Sequence, residues 1–332
     1  MRRNLLIVVL VLVVAAFGYW YRENNLKTLD VTYFYANGAV DGIQSLVIKK
    51  YGLDTKNHLN ITFKHGSPGE LERQLLAREA DIAQTSPMIA SKANLDGKAL
   101  RLLSPQIHMS YNILVPAASP IKTLADLKGK KVAVAPKVTA AYTAFALVLR
   151  SADINPEIDL NLIFGSIPDA VKHLQNGEVE AATVSYPLAA TLVESGKFRV
   201  LTRLEDEWIA NEGVSLPFVV MVAYADWLED PINRKIAKRL AATLHDAATL
   251  IAERPDVVTE ESNTELNDYL TQNNLSKDTV KAILREKTAK DLYTSWGNDE
   301  VSAIERVIKR AKEYGLLPPN APEDIIIKPS DL

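Results

Sequence analysis

Asn60–Pro87 reads NITFKHGSPGELERQLLAREADIAQTSP, and its punctuation sets the architecture. Asn60–Lys64 is short, alternating and β-rich, which predicts a strand. His65-Gly66-Ser67-Pro68 is a turn, with Ser67 in the N-cap position and Pro68 at the first helical residue. Glu70–Arg78 predicts the helix that follows. Asp81–Gln84 predicts a second, shorter strand, and Thr85-Ser86-Pro87 opens another helix in the same style. This alternation at short intervals predicts a mostly parallel sheet with helices on its faces.

The same order extends outward. Upstream, Leu29–Tyr35 predicts a strand, Ala36-Asn37-Gly38 a turn, and Gly42–Tyr51 a helix with Ile43, Leu46 and Val47 on one face. Downstream the pattern restarts. Val132–Ala135 is a buried-strand signal, Pro136–Ala141 a loop and Tyr142–Arg150 a helix. Asn161–Phe164 is a strand, Gly165–Pro168 a turn, and Asp169–Asn176 a helix closed by Gly177. Ala181–Val184 is a strand, and Ser185-Tyr186-Pro187 opens a further helix. Two copies of one order predict two similar lobes rather than a repeat array. Phe218–Ala223 is a third buried-strand signal. Asp230-Pro231 begins a long amphipathic helix with Ile232, Ile236, Leu240, Leu244 and Ile251 on one face. Helices are predicted around Lys277–Leu284 and Asp299–Tyr314, the last capped by Gly315. A polar, Pro-containing tail runs from Pro318.

Length and composition agree with two globular domains. The chain has 332 residues, 47% hydrophobic and 24% charged, enough to bury a full core. Its first segment has the shape of an export signal: Arg2-Arg3, then an unbroken apolar run Leu5–Phe17, then Gly18-Tyr19-Trp20-Tyr21 and Arg22. With that extension the run reaches roughly the 17 residues needed to span a bilayer. Residues 1–24 therefore read either as a signal peptide of the general secretory route or as a retained anchor through Leu5–Tyr21. There is no cysteine, which excludes disulfides, thiolate catalysis, Cys-based metal sites and an N-terminal lipid anchor. Formal charge is −3, and the part beyond Arg22 carries −6, which argues against nucleic acid as the partner.

Several of these segments together resemble a known family. Leu71–Ala83 (LERQLLAREADIA) with Thr85-Ser86-Pro87, Leu124–Val134 (LADLKGKKVAV), Asp169–Ala182 (DAVKHLQNGEVEAA), Ser185-Tyr186-Pro187 and Arg306–Pro318 (RVIKRAKEYGLLP) are similar to the NMT1/THI5-like periplasmic solute-binding proteins of ABC transporters. That family takes sulfonates, nitrate, taurine and thiamine precursors. The resemblance covers about Leu29–Pro318. It departs where Arg78 or Glu79 stands in place of a usual Gly, at a helix C-cap. It implies an α/β fold of the type II periplasmic-binding-protein kind: two doubly wound lobes joined by two crossing strands. Lobe one would be residues 27–111 plus 219–332 and lobe two 116–216. The crossings would lie near Asn112–Val115 and Pro217–Val219. It implies no cofactor, a small-molecule ligand, an ABC permease as partner, a periplasmic location and a monomer.

In a doubly wound sheet the ligand lies beyond the C-terminal ends of the strands. The turns there supply the candidate ligand contacts: Tyr35, Asn37, Ser67, Ser86, Thr139, Tyr142, Ser185 and Tyr186. Helix N-termini in these turns suit an anionic group. Ser67, Ser86, Thr139 and Ser185 have a plain alternative as helix caps, and the tyrosines as packing between lobes. His65 is either a contact or a local cap. Lys137 is read in a loop facing the cleft, either as an anion partner or as a solvated lysine. Three tyrosines and one lysine favour an organic ligand, aromatic or anionic. None of the five histidines has metal-ligand spacing with another. Glu205-Asp206-Glu207 reads as a solvated loop, and no phosphate loop or nucleophile elbow occurs. The chain is thus read as a non-enzymatic, metal-free solute-binding protein. The rival readings are a membrane-tethered ligand sensor and a pyrimidine-synthase-like enzyme on the same fold.

Overall fold

The computed structural model describes Gly18 and residues 26–36, 40–80, 82–286 and 296–332, to which the structural statements below refer. The apolar run Leu5–Tyr21, apart from Gly18, and the candidate contact Asn37 lie outside them.

In chain order the first elements are β1 (Leu29–Ala36), α1 (Val40–Tyr51), the single turn α2 (Leu53–Lys56), β2 (Leu59–Gly66), α3 (Pro68–Leu76), β3 (Ile82–Thr85), α4 (Pro87–Leu95) and β4 (Leu100–His108). Then come β5 (Tyr111–Pro116), β6 (Lys131–Val134), α5 (Ala140–Ser151), the short α6 (Pro156–Asp159), β7 (Asn161–Phe164) and α7 (Ile167–Gln175). They are followed by β8 (Ala181–Ser185), α8 (Leu188–Glu194), β9 (Phe198–Arg203), α9 (Leu204–Glu212) and β10 (Pro217–Tyr224). The chain closes with α10 (Pro231–Glu253), α11 (Thr264–Gln272), α12 (Lys277–Glu286) and α13 (Asn298–Glu313).

The ten strands form two five-stranded sheets of the same design, β2-β1-β3-β10-β4 and β7-β6-β8-β5-β9. In each sheet three strands are parallel: β1 with β2 and β3, and β6 with β7 and β8. The fourth strand is antiparallel to both neighbours, β10 against β3 and β4, and β5 against β8 and β9. Each of these strands begins just after the chain has crossed from the other sheet. The sheets are therefore mixed rather than simply parallel, and the fold is the two-lobed α/β periplasmic-binding-protein fold.

The crossings differ in place from the expectation. Asn112–Val115 lie inside β5, buried between β8 and β9. The first crossing is Met109-Ser110, immediately upstream. The second is Gly213–Leu216, between α9 and β10. The two run side by side: the Met109 N–H donates to Leu216 O at 3.0 Å, and Pro217 stands opposite His108. β4 and β9 have no counterpart in the sequence reading: Pro105 and polar residues interrupt β4, and β9 is short and half polar.

Glu205–Glu207 also differ from the reading. They form the first turn of α9, and Glu205 is buried. Its carboxylate accepts from Ser215 Oγ at 2.5 Å, and that hydroxyl lies 2.9 Å from His108 Nδ1. Three residues thus join the two crossings by side chains as well as backbone. The C-terminal tail is docked rather than free. Leu102 N–H donates to Ile325 O at 2.8 Å and Ile327 N–H to Leu102 O at 2.9 Å, which covers the edge of β4. Arg78, where a Gly was expected, takes the left-handed φ of 59°. Its guanidinium stacks over the Tyr224 ring at 4.1 Å and pairs with Asp226.

Packing follows the predicted stripes with one exception. On α10 the buried face begins at Ile236 and continues through Leu240, Leu244 and Ile251, whereas Ile232 in the first turn is exposed. α1 docks on α10, where Gln44 Nε2 donates to Leu244 O at 2.8 Å across the contact. A second apolar cluster lies under the other sheet, around Ala170, Leu174, Ala182 and Val184. A third is shared between the sheets, joining Leu75 and Met88 of α3 and α4 with Phe145 of α5 and Trp208 of α9. Tyr269 of α11 rests on Gly42, and a Cβ at that position would meet its ring and hydroxyl. Gly42→Ala is therefore expected to destabilise the fold by about 1–3 kcal/mol, as overpacking does. Adding Tyr269→Leu should recover part of that loss in urea unfolding, because the clash is with the ring.

Candidate functional site

The C-terminal ends of β1, β3 and β8 and the Met109-Ser110 crossing meet between the two sheets, and a cleft opens there. Its inner part is narrow, about 50 Å³. It is lined by Asp41 of α1, Glu72 of α3, Gln84 and Thr85 of β3, and Ser110-Tyr111. Ala140, Ile167 and Ser185 face these residues from the second sheet. Ile167 and Ser185 also line a wider outer part of about 860 Å³, within the size range of ligand pockets. The outer part is built from Ser67 and Gly69 on one side and Thr139, Ser166 and Gln175 on the other, with Gln272–Asn274 at the rim. Helices α3, α5 and α7 all begin at this outer part, which turns the positive ends of their dipoles towards it.

The inner part carries the opposite polarity. Glu72 is 4% exposed, and its Oε1 accepts from the Ala140 N–H at 3.0 Å, across the cleft. Its Oε2 is buried without a hydrogen-bond partner. Burial pushes the Glu72 carboxyl up to about 8, against the lowering effect of the Ala140 and Glu72 N–H groups. Asp41 is pushed up to about 7 by burial, although its own N–H and that of Ala36 hydrogen-bond to it. Burial, and then the charges of Asp41 and Glu72, raise the Tyr111 phenol well above the ordinary tyrosine range. Both amide atoms of Gln84 and the Thr85 hydroxyl are buried without a hydrogen-bond partner. Among the described residues no lysine or arginine lines either part of the cleft.

Of the residues singled out by sequence, Ser185 lines both parts of the cleft, and Ser67 and Thr139 line the outer part. Thr139 also caps α5, its hydroxyl accepting from the Tyr142 N–H at 3.2 Å. Ser67 has the N-cap backbone but no capping side-chain bond. Ser86 caps α4 by accepting from the Ile89 N–H at 3.3 Å, and it shares a hydrogen bond with Thr143 Oγ1 of the facing helix at 3.1 Å. Tyr35 is buried with its ring against Phe63 and His65. Tyr186 packs against the core of the first sheet, and its N–H donates to Ser110 O at 2.8 Å.

Tyr142 lies apart from the cleft. Its hydroxyl donates to Glu157 at 2.9 Å, in a separate hollow between α4, α5 and the end of α13. Lys137 lines that same hollow and pairs with Glu157 at 2.8 Å, so it does not face the cleft as the sequence suggested. Asp41, Glu72, Gln84, Ser110 and Tyr111 were not anticipated, and Thr85 was read as part of a strand-end turn without being named as a contact. Glu72 sits one position from Leu71 and three from Leu75 on α3, at the margin of an apolar face, which was the one legible hint.

Residues 53–250 match the model of the ABC-transporter periplasmic phosphonate substrate-binding proteins. The chain belongs to this family. It is the extracytoplasmic solute-binding component of an ABC importer, a binding protein whose partners are a small molecule and a permease. A search of the curated proteins finds no match. Solved structures with the same fold include the alkanesulfonate-binding protein SsuA from Xanthomonas axonopodis pv. citri bound to MOPS. It has 18% identity and a TM-score of 0.70, covering 91% of this chain and 99% of that one. The aliphatic sulphonate binding protein SsuA from Escherichia coli has 20% identity and a TM-score of 0.67, covering 89% and 96%. The Candida albicans CA3427 product, described as having the generic periplasmic binding protein fold, has 14% identity and a TM-score of 0.62, covering 91% and 96%. Among the described residues no helix is long and apolar enough to cross a membrane.

The raised carboxyls make the stability of the empty binding protein depend on pH. A carboxyl with a raised folded-state value stabilises the fold fully below its ordinary range, and that contribution is lost as pH rises through the folded value. Stability should therefore fall between about pH 5 and 8, by up to roughly 1.4 kcal/mol per pH unit for each group. Glu72→Gln and Asp41→Asn should each flatten the decline in a melting series across that range. An unchanged slope in both would show that these carboxyls ionise freely.

Proposed function

We propose that this protein captures a small organic solute between its lobes by hinge closure and hands it to the permease in the closed form. The observation that carries the reading is the composition of the cleft. Both sheets contribute to one cavity, and Glu72 on one side already bonds Ala140 on the other. A ligand touching both sides favours the closed arrangement by its differential contacts. The moving bodies would be residues 27–108 plus 217–332 and residues 111–212. The hinge would be Met109-Ser110 and Gly213–Leu216, where two backbone segments can absorb rotation while the Met109–Leu216 bond keeps them in register.

Candidate contacts from the sequence reading that suit this role are Ser67, Thr139 and Ser185, with Asp41, Glu72, Gln84 and Thr85 added. The NMT1/THI5-like branch fits the quoted motifs, and the phosphonate family and the SsuA-like fold support an acidic group on the ligand. Residues 1–24 would direct export by the general secretory route, and the mature protein would act as a monomer, either free in the periplasm or held by Leu5–Tyr21.

The absence of native cysteine allows a direct test. The Ser86 and Thr143 hydroxyls hydrogen-bond across the lobes at 3.1 Å, which makes this pair the choice for a cross-link after both are changed to Cys. The oxidised Ser86→Cys/Thr143→Cys protein should be compact by small-angle scattering without ligand and should exchange ligand slowly, and reduction should restore exchange. The parent protein should compact when a solute raises its melting temperature. A stabilising solute that leaves the scattering unchanged would overturn hinge closure.

A further inference from the structure

Away from the cleft, the first lobe carries another hollow, of about 390 Å³, between α1, β4 and α10. It shares no lining residue with either part of the cleft. We propose that it is a second small-molecule site, for a planar heteroaromatic acid whose ring N–H meets a wall of glutamine oxygens and whose carboxylate meets Lys238. The proposal is independent of solute capture in the cleft.

One wall is a face of α10. Lys238, Ala241, Ala242, His245 and Ala248 line the hollow. They recur every three or four residues, so they share one side of the helix, next to the core stripe of Leu240, Leu244 and Ile251. Longer side chains at the three alanines would fill the space. Trp296, two residues before α13, and Pro105 of β4 add an aromatic and a flat apolar surface. Such a lining accepts a ring, and the volume lies in the range of small-ligand pockets.

The polar groups select what the ring must carry. Gln44 and Gln106 line the hollow and are 1% and 4% exposed. Gln44 Nε2 donates to Leu244 O at 2.8 Å, and its Oε1 is buried without a hydrogen-bond partner. Gln106 Nε2 donates to Ser104 O at 3.3 Å. Both amides thus have their N–H side engaged and their oxygen left to accept, and an unmatched buried acceptor is costly. Lys238 is exposed and forms no ion pair among the described residues. His245 follows two turns later, roughly 10 Å along the axis. Among the described residues the lining holds these two basic side chains and no aspartate or glutamate. A neutral ring leaves Lys238 without a partner, and an acid without N–H donors leaves the glutamine oxygens unmet.

Three related probes separate these contributions: indole-3-carboxylate, 1-methylindole-3-carboxylate, which lacks the N–H, and 3-methylindole, which lacks the acid. Binding would be followed by the indole N–H signal of Trp296 in nitrogen-15 spectra, assigned by its loss in Trp296→Phe. Indole-3-carboxylate should shift that signal saturably and bind at least fivefold more tightly than either of the others. Lys238→Gln should weaken indole-3-carboxylate at least fivefold and leave 3-methylindole unchanged. Ala242→Phe, which puts a ring into the hollow, should abolish binding of all three. Residues 238 and 242 are exposed, so both variants should keep the wild-type melting temperature. No shift of the Trp296 signal with indole-3-carboxylate overturns the proposal. So does binding undiminished in Ala242→Phe, which would put the probe elsewhere, the cleft included. Equal binding of all three probes would reduce the hollow to an unselective apolar surface and overturn it as well.

Discussion

Each sheet in this protein is completed by a strand that arrives from the other. β5 enters the second sheet two residues after β4 leaves the first, and β10 returns after α9. Both run against the direction of their neighbours, because a chain that crosses and pairs at once must enter from the end at which the previous strand stopped. That constraint brings the two crossings side by side, joined by the Met109 N–H to Leu216 O bond and by the Glu205–Ser215–His108 contacts. It also aims the C-terminal ends of β1, β3 and β8 at a common space. The cleft is therefore a product of topology before any side chain is considered, and the helices that follow those strands turn their N-termini towards it.

Much of this order was readable from residues 29–253 because the punctuation is local. Ser-Pro turns, Gly177 and the apolar stripe of α10 act over a few residues, so the parallel strands and their helices were legible. β4 and β9 were not, and β5 was read only as a crossing strand. Pro105 and polar residues interrupt β4, β9 is short and half polar, and the apolar run of β5 carries no period. The same limit misplaced the first crossing by a few residues, since Asn112–Val115 looks the same whether it crosses or pairs. Glu205 shows the limit for charge: an acidic triplet reads as solvated, and only tertiary contact makes its first member a buried acceptor.

The site divided along the same line. The hydroxylic turn residues at the outer part, Ser67, Thr139 and Ser185, were readable because strand ends and helix starts mark them. The inner residues were not, because Asp41 and Glu72 lie within helices whose sequences look ordinary. Tyr142 and Lys137 fall outside the cleft for a geometric reason. Lys137 lies in the turn before α5 and Tyr142 in its first turn, and both side chains meet Glu157 on the side of α5 away from the cleft.

The polarity of the cleft bears on how such a protein can discriminate. A binding site for a bare anion gains from helix N-termini, which here border the outer part of the cleft. The buried acceptors of the inner end act in the other direction, because a ligand lacking donors leaves Glu72 and Gln84 unpaired, and an unmatched buried polar group is costly. On the solute-capture reading, rejection of the wrong ligand would fall where burial is greatest, at Glu72 and Asp41, and attraction at the wider outer part. Glu72 also bonds the first residue of α5 across the cleft. If the solute also reaches Glu72, as the proposed function has it, one side chain would tie the selection of the solute to the closure of the lobes.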